Sequence, residues 1–206
     1  MRYTGPLNKL ARREGIDLGL KSTGSKAQSN LLKKIGIVPG QHGKSRRSKL
    51  TDYGSQLREK QKLKRMYGIT ENQMKLYFSK AIKKVGNTSE HLITHLERRL
   101  DNVIFKLGIA PTRASSRQLV THGHILVNDK KINIPSYIVD KNDIIGFRKE
   151  TSAKIPYIAI ILEKKDTSIV PWLTRSGTKG KVIGLPALTD FIEEINLQYV
   201  IEFYSR

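Results

Sequence analysis

The sequence lacks cysteine and is poor in acidic residues. Without cysteine the protein can form no disulfide bond, no thiolate zinc site and no cysteine nucleophile. Its 18 Asp and Glu stand against 38 Lys and Arg, so the 206 residues carry a formal charge of +20 at pH 7. A chain with that imbalance repels itself unless an oppositely charged partner neutralises it. We therefore expect a polyanion as the partner.

Long hydrophobic runs are also missing. The longest, "IPYIAIILE" from Ile155, is far too short to span a bilayer, and the N-terminus lacks the apolar region of a signal peptide. These absences predict a cytoplasmic protein with no membrane association. Since no thiolate ligands and no complete cofactor motif are present, we also expect neither a cofactor nor a bound metal.

The positive charge is concentrated towards the N-terminus. Residues 1–50 contain twelve Lys and Arg and two acids, whereas residues 151–206 contain seven and six. The first segment also has many Gly and Ser and little apolar periodicity. We predict a mostly extended basic arm with one short helix around Asn8–Arg13. Such a segment either folds against its partner or is a disordered tail.

Three helices are predicted between residues 52 and 108. They are "DYGSQLREKQKLKRMYG" from Asp52, "TENQMKLYFSKAIKKVG" from Thr70 and "NTSEHLITHLERRLDNVIFKLG" from Asn87, and each ends at a glycine. Thr70 and Gln73 have the spacing of a capping box. The third helix has an apolar stripe at helical spacing, with Arg99 and other polar residues at or beyond its edges.

A shorter helix and several strands are predicted after residue 108. The helix runs from Thr112 to about Thr121, and "HILVN" and "KKINI" follow as hairpin strands around Asn128 and Asp129. "IIGF" and "YIAIIL" are predicted as further strands, and the closing "INLQYVIEFYSR" as a helix or a strand. The order of these elements predicts an α+β fold.

Three patterns suggest catalysis, and none is complete. "GIVPGQHGKS" ends like a P-loop, but Val38 replaces the first glycine and Pro39 removes a backbone donor. His91 and His95 have the spacing of a zinc protease without its general-base glutamate. "RRLD" is similar to the motif around the catalytic aspartate of pseudouridine synthases, but too little chain follows for a catalytic domain. We expect no enzyme activity.

Arg113 and Arg117 are four residues apart and share a face of the short helix. Guanidinium groups beside a helix N-terminus suit bidentate contacts with phosphate, which favours RNA over a solvated charged face. Asp101 is interpreted as a helix-surface acid that pairs with Arg98 or holds another arginine in place.

His122 and His124 flank Gly123 at the end of this helix. They are candidates for RNA contact, for structural hydrogen bonds or for metal binding, and Lys130 and Lys131 follow in the hairpin.

A series of motifs in the right order resembles one family over nearly the whole chain. They are "RYTGP", "PGQHG", "DYGSQLREKQKLKRMYG", "GNTSEHL", "RLDNVIFKLGIAPTRASSRQLVTHGHILVN", "NIPSY" and "VIEFYSR". The set is similar to bacterial small-subunit ribosomal protein four. Many members carry zinc-binding cysteines that begin at the positions of Asn8 and Ala11, so the chain resembles the zinc-free form. "LPALTD" near the C-terminus departs from the family's more polar stretch.

The resemblance implies an α+β fold with an N-terminal helical domain and an inserted module. Residues 1–50 would form the extended basic arm, and residues 51–95 together with 155–206 would form the helical domain with its C-terminal segment. Residues 96–154 would form a helix-helix-β-hairpin RNA-binding module of the αL type. RNA-modifying enzymes and stress-response RNA chaperones carry the same module. The missing catalytic domain argues against an RNA-modifying enzyme. The family-specific N-terminal half argues against a stress-response RNA chaperone.

The resemblance further implies a structural, non-enzymatic component of the small ribosomal subunit, bacterial or organellar. Such a protein binds ribosomal RNA (rRNA) early, nucleates assembly and influences translational accuracy. Its implied partners are small-subunit rRNA, neighbouring proteins including small-subunit protein five, and messenger RNA where it enters the subunit. The candidate RNA-binding residues are Arg2, Tyr3, Arg12, Arg13, Gln41, His42, Lys44, Arg46, Arg47, Arg58, Lys60, Lys62, Arg99, Asn102, Arg113, Arg117, His122, His124, Lys130 and Lys131.

Overall fold

A computed structural model describes residues 3–43, 49–149, 155–163, 169–191 and 194–206. The candidate contacts Arg2, Lys44, Arg46 and Arg47 lie outside these residues. The chain divides into two compact units, of which unit one is Met1–Leu92 with Glu193–Arg206 and unit two is Ile93–Ile192. Each unit has its own buried residues and its own charged cluster.

Unit one is helical in the described residues. Its helices are α1 (Leu7–Glu14), α2 (Lys26–Leu32), α3 (Asp52–Met66), α4 (Glu71–Ile82) and the C-terminal α9 (Leu197–Ser205), and α5 (Thr88–Glu97) begins in it. The hydroxyl of Thr51 caps α3 by accepting from the Gly54 N–H at 3.1 Å. Thr70 and Gln73 form the predicted capping box on α4.

The N-terminal segment contains more helix than its sequence pattern predicts. Helix α1 agrees with the predicted short helix, but α2, capped by Ser25, was not predicted. Ala11, Leu18 and Leu31 are buried. They are too far apart in sequence to give a local period, so their burial depends on contacts between distant residues. Their burial favours a folded segment over a disordered tail.

Unit two combines helices with an antiparallel sheet. Its further elements are α6 (Leu100–Lys106), α7 (Arg113–Thr121), β1 (Ile125–Val127), β2 (Lys130–Lys131), β3 (Ile144–Phe147), α8 (Pro156–Glu163), β4 (Leu173–Ser176) and β5 (Lys179–Val182). The strand order is β2-β1-β3-β5-β4. Helices α6 and α7 supply Leu100, Ile104 and Val120 to a core that also holds Ile125 and Ile145.

The predicted hairpin is present, with its turn at Asn128 and Asp129. Both residues have positive φ, 49° and 62°, which is the backbone of the two-residue turn that matches the twist of paired strands. Val127 pairs with Lys130 across the turn. β2 therefore presents Lys130 and Lys131, both exposed, at the edge of the sheet.

The single helix predicted for residues 87–108 is two helices, α5 and α6. Arg99 is extended at the break, with φ −65° and ψ 134°. The Leu100 N–H donates to the Tyr137 carbonyl at 2.8 Å, and the Val139 N–H donates to the Arg98 carbonyl at 3.0 Å. Pairing with residues 137–139 replaces the helical hydrogen bonds at this point.

The chain after residue 155 differs most from expectation. "YIAIIL" lies in α8, so the predicted strand is wrong, and the hairpin of β4 and β5 was not predicted. Because β5 pairs with β3, residues 173–182 belong to the sheet of unit two, although the sequence placed them with the helical domain. Only the last residues return to unit one, where "LQYVIEFYS" forms α9. In the described parts of the chain, no helix is long and apolar enough to cross a membrane.

Candidate nucleic-acid interface

A buried carboxylate organises the cations of unit one. Glu14 is the last residue of α1, and its side chain is fully buried. Its Oε1 accepts from Nη1 of Arg58 at 3.2 Å and from Nη1 of Arg65. The two arginines are seven residues apart on α3, two helical turns, so they project from one face. One carboxylate thus holds two guanidinium groups side by side.

Further cations surround the same carboxylate. Burial raises the pKa of Glu14 above its ordinary value, and the positive charges of Arg65, Arg58, Lys62 and Arg13 oppose that rise. Burial likewise lowers the pKa of Arg65, and Glu14 opposes this effect. The side chains of Arg58 and Arg65 remain 28% and 16% exposed, so both are accessible to a ligand. We refer to Arg13, Glu14, Arg58, Lys62 and Arg65 as the Glu14 cluster.

Arg12 connects α1 to the turn that carries Gln41 and His42. Its Nε donates to the Ile37 carbonyl at 2.9 Å and its Nη2 to the Val38 carbonyl at 3.4 Å. Arg12 therefore holds this turn in place, while Gln41 and His42 are exposed. Tyr3, a further candidate contact, is 49% exposed.

Lys60 points into unit one and is buried, contrary to its prediction as a surface contact. Its Nζ lies 3.0 Å from both oxygens of Glu71 and 4.5 Å from the centre of the Phe203 ring. Burial lowers the pKa of Lys60, and the hydrogen bond to Glu71 opposes that shift. Lys62 is bound to Glu59 at 2.6 Å but stays at the surface of α3 as part of the Glu14 cluster.

Glu71 joins the C-terminal helix to α3 and α4. The Tyr204 hydroxyl donates to Glu71 at 2.7 Å, and Lys64 donates at 2.8 Å. Partial burial alone would raise the pKa of Glu71, but hydrogen bonds from Lys64, Tyr204 and Lys60 lower it to about 2. Burial and the bond to Glu71 raise the pKa of Tyr204. This network fixes α9 against α4 and against α3, the helix that carries Arg58 and Arg65.

Asp101 is the corresponding carboxylate of unit two. It is buried, and it accepts from Arg99 Nε at 3.0 Å and Nη2 at 2.7 Å. Arg117 on α7 donates to the same carboxylate at 3.1 Å. Of the two roles predicted for Asp101, holding an arginine in place is the one observed. Arg98 instead pairs with Asp140.

Burial removes Arg99, Asn102 and Arg113 from the surface. Arg99 is 0% exposed. Arg113 donates to the side-chain oxygen of Asn102 at 2.8 Å and stacks over the Phe105 ring at 4.7 Å. Asn102 in turn donates to Glu97 at 2.9 Å. Arg113 and Arg117 therefore do not form the predicted surface pair. Arg113 is internal, whereas Arg117 keeps 27% of its side chain exposed.

The other candidate contacts of unit two lie at the end of α7 and in the hairpin. His122 is exposed and His124 half-buried, with ring centres 6.2 Å apart. Gly123, at φ 70°, lies under the Lys131 side chain, and a Cβ there would come within 2.5 Å of Lys131 Cε. The glycine therefore allows the lysine to lie beside the two histidines. Among the described residues, no group of three or more His, Cys, Asp or Glu could hold a metal ion.

Sequence reasoning missed Glu14 and Arg65. The seven-residue spacing from Arg58 to Arg65 would have placed both on one face. Nothing local indicates that Glu14 is their partner, since 44 and 51 residues separate it from them.

Two family profiles together cover residues 2–145. Residues 2–97 match "Ribosomal protein S4/S9 N-terminal domain", and residues 98–145 match "S4 domain". A relative from Aquifex aeolicus (strain VF5), named small ribosomal subunit protein uS4, is 48% identical over 100% of this chain and 99% of its own length. The chain belongs to the uS4 family.

Other members of the uS4 family show the same level of similarity. The proteins of that name from Thermotoga maritima and Herpetosiphon aurantiacus are each 48% identical over 100% of this chain and 99% of their own length. Family membership confirms the resemblance seen in the sequence and the α+β fold with its RNA-binding module. It leaves the individual contact residues as predictions.

Proposed function

We propose that this protein is a structural, non-catalytic component of the small ribosomal subunit that binds its rRNA. The Glu14 cluster carries the proposal, because Arg13, Arg58, Lys62 and Arg65 surround a single buried carboxylate. Four cations and one acid leave a local excess of positive charge at a surface with exposed guanidinium groups. Such an array neutralises phosphates and releases their counterions. The full-length similarity to proteins named for the small subunit supports the same function.

The fold separates candidates whose side chains are used in contacts within the protein from candidates that stay available to RNA. Arg12, Lys60, Arg99, Asn102 and Arg113 bind other parts of the protein and position their neighbours. The proposed contacts are Tyr3, Arg13, Gln41, His42, Arg58 and Lys62 in unit one and Arg117, His122, His124, Lys130 and Lys131 in unit two, with Arg2, Lys44, Arg46 and Arg47 added from the sequence.

Both units suit recognition of RNA shape and backbone. Arginine and lysine at a shallow surface contact phosphates, and histidine and tyrosine can stack on unpaired bases or donate to them. Two units with separate cationic surfaces can each hold a different RNA helix. By fixing the geometry of those helices, the protein would nucleate assembly of the subunit early and influence the accuracy of decoding.

The remaining partners follow from the family and stay part of the proposal. They are neighbouring small-subunit proteins, including small-subunit protein five, and messenger RNA where it enters the subunit. The protein would act in the cytoplasm as part of the small subunit.

The test is binding of the full chain to small-subunit rRNA over a range of salt concentrations, compared with large-subunit rRNA of matched length. We expect tighter binding to small-subunit rRNA. We also expect the logarithm of affinity to fall with the logarithm of salt with a slope of about −4 or steeper, since each neutralised phosphate contributes about 0.7 to 0.9. Equal affinity for both RNAs would contradict the function.

A further inference from the structure

The two arginines on Glu14 are placed as a pair that is ready to bind an anion. Both contact the same oxygen, Oε1, so their guanidinium groups lie next to each other despite their like charge. Glu14 comes from α1 and the arginines from α3. Without the carboxylate, repulsion between the two cations would separate their flexible side chains.

The contact with Glu14 uses only part of the hydrogen-bonding capacity of each guanidinium group. An arginine has five N–H donors in a planar fork, and the contact with Glu14 involves one Nη1 of each. Both side chains retain solvent exposure. A phosphate group can accept two parallel hydrogen bonds from such a fork. The pair therefore offers two forks to one stretch of RNA backbone.

The surroundings favour a polyanion over a small acid. Arg13 and Lys62 lie close enough to influence Glu14 electrostatically, and Arg13 and Tyr3 do the same for Arg65. With Glu14 ionised and Lys62 paired to Glu59, the cluster and that acid together keep a net charge of two positive units. Oε2 of Glu14 is buried and has no hydrogen-bond partner among the described residues. That oxygen shares the negative charge of the carboxylate beneath the arginines and does not contact solvent.

We propose that Glu14 is a positioning residue that holds Arg58 and Arg65 together as a clamp for consecutive phosphates of the RNA backbone. Arg65 thereby becomes an RNA-contact residue. The proposal rests on the proposed function of rRNA binding and assigns a part of unit one to it.

The decisive experiment asks whether a substitution at Glu14 strengthens or weakens RNA binding. Glu14→Gln removes a negative charge beside four cations, and net charge alone would then strengthen RNA binding. Loss of the clamp would weaken it. We expect Glu14→Gln to bind small-subunit rRNA about tenfold more weakly in the full-length protein, the equivalent of one charge-assisted contact. The magnitude of its salt slope should fall by about 1 to 2.

A matched control is Glu194→Gln, which removes one negative charge from an exposed side chain of unit one. It should bind as tightly as the parent or slightly more tightly. If Glu14→Gln binds no more weakly than Glu194→Gln, Glu14 does not position a clamp.

A second variant keeps the test valid if Glu14→Gln does not fold, which circular dichroism would show. Arg65→Lys conserves the charge but removes the planar fork, and we expect it to weaken binding at least threefold. Unchanged affinity in a folded Arg65→Lys protein would overturn the clamp. Repeating both variants on a generic RNA duplex separates the two proposals. A parent without preference for small-subunit rRNA contradicts the function, whereas the loss in the variants still reports the clamp.

Discussion

Each unit of the protein holds a pair of arginines on a buried carboxylate, but the two pairs differ in exposure. In unit one, Glu14 holds Arg58 and Arg65, and both guanidinium groups reach solvent. In unit two, Asp101 holds a fully buried Arg99 and a partly exposed Arg117. A buried ion pair adds little net stability, but breaking one leaves an uncompensated charge. The same chemistry therefore leaves both guanidinium groups accessible in unit one, whereas in unit two it encloses one of them completely.

The position of each carboxylate in the sequence explains the difference. Glu14 is separated from its arginines by 44 and 51 residues, so the pair forms only when α1 lies against α3. Asp101 is two residues from Arg99, and together they sit at the break between α5 and α6. The backbone bonds of Leu100 and Val139 hold this break in place, and the Arg99 side chain is fully buried there.

The largest expected effect comes from removing the carboxylate of unit two. Asp101→Ala leaves Arg99 buried without its counter-charge, so we expect a loss of about 3 to 5 kcal/mol in the free energy of unfolding. Urea unfolding followed by Trp172 fluorescence measures it, since Trp172 is the only tryptophan and is buried in unit two. As a control, Asp140→Ala removes an ion pair whose acid is 75% exposed, and it should cost less than about 1 kcal/mol. Similar losses in both variants would mean that the buried pair has no special role.

The next largest effect distinguishes the role of Arg113 in stability from the role of Arg117 in RNA binding. Arg113→Ala should lower the free energy of unfolding by about 1 to 3 kcal/mol, because it leaves the buried Asn102 side chain without its donor. It should leave the salt slope of rRNA binding unchanged. Arg117→Ala should lower the magnitude of that slope by about 0.7 to 0.9. If the two variants change stability and slope equally, the arginines act as one surface pair, as the sequence alone suggested.

Acid titration should distinguish the carboxylates within unit one. Glu71 has a pKa of about 2 in the folded protein, below its ordinary value of 4.5. Its contribution to stability is therefore complete above about pH 4.5 and is lost as the pH falls towards 2. For this partly exposed group we expect about 1 kcal/mol after allowance for solvent screening. The pKa of Glu14 is raised, so ionised Glu14 destabilises the fold and that cost is relieved as the pH falls.

Tyr204→Phe tests this assignment because it removes one hydrogen bond to Glu71. The acid-dependent part of stability should shrink in this variant. Amide exchange of α3 and α4 measured between pH 2 and 6 provides the readout. Tyr199→Phe, at an exposed position of the same helix, is the control. An identical acid dependence in Tyr204→Phe and in the parent would contradict the assigned role of the hydroxyl.

Local signals predicted the parts of the fold that depend on neighbouring residues. The capping box of α4 and the Asn128–Asp129 turn are set within a few residues, and both were predicted correctly. The break before α6 and the pairing of β5 with β3 depend on partners far along the chain, and both were missed. The hairpin of β4 and β5 closes on a local turn, with Ser176 paired to Lys179, and it was missed as well. In the same way, charge selected the candidate RNA-binding residues, but the burial of Lys60, Arg99 and Arg113 involves Glu71, Asp101 and Asn102, which charge alone does not indicate.

The smallest expected effect concerns what organises the N-terminal segment of unit one. Many family members would use zinc at the positions of Asn8 and Ala11, whereas here the Asn8 side-chain amide donates to the Ala27 carbonyl of α2 at 3.2 Å. We expect a metal chelator to leave the melting temperature unchanged and elemental analysis to find no stoichiometric zinc. Asn8→Ala should cost about 0.5 to 1.5 kcal/mol, the net value of one hydrogen bond.

Amide exchange of α1 and α2 would detect this loss directly, with Asn30→Ala at an exposed position of α2 as the control. One zinc per chain, removed by the chelator with loss of structure, would contradict the prediction. In that case a metal would hold the segment that carries Glu14, and the Glu14 cluster would depend on it. If only Asn8→Ala loosens α1 and α2, direct hydrogen bonding between the two helices replaces the metal site, and the arginine pair on α3 is positioned by protein contacts alone.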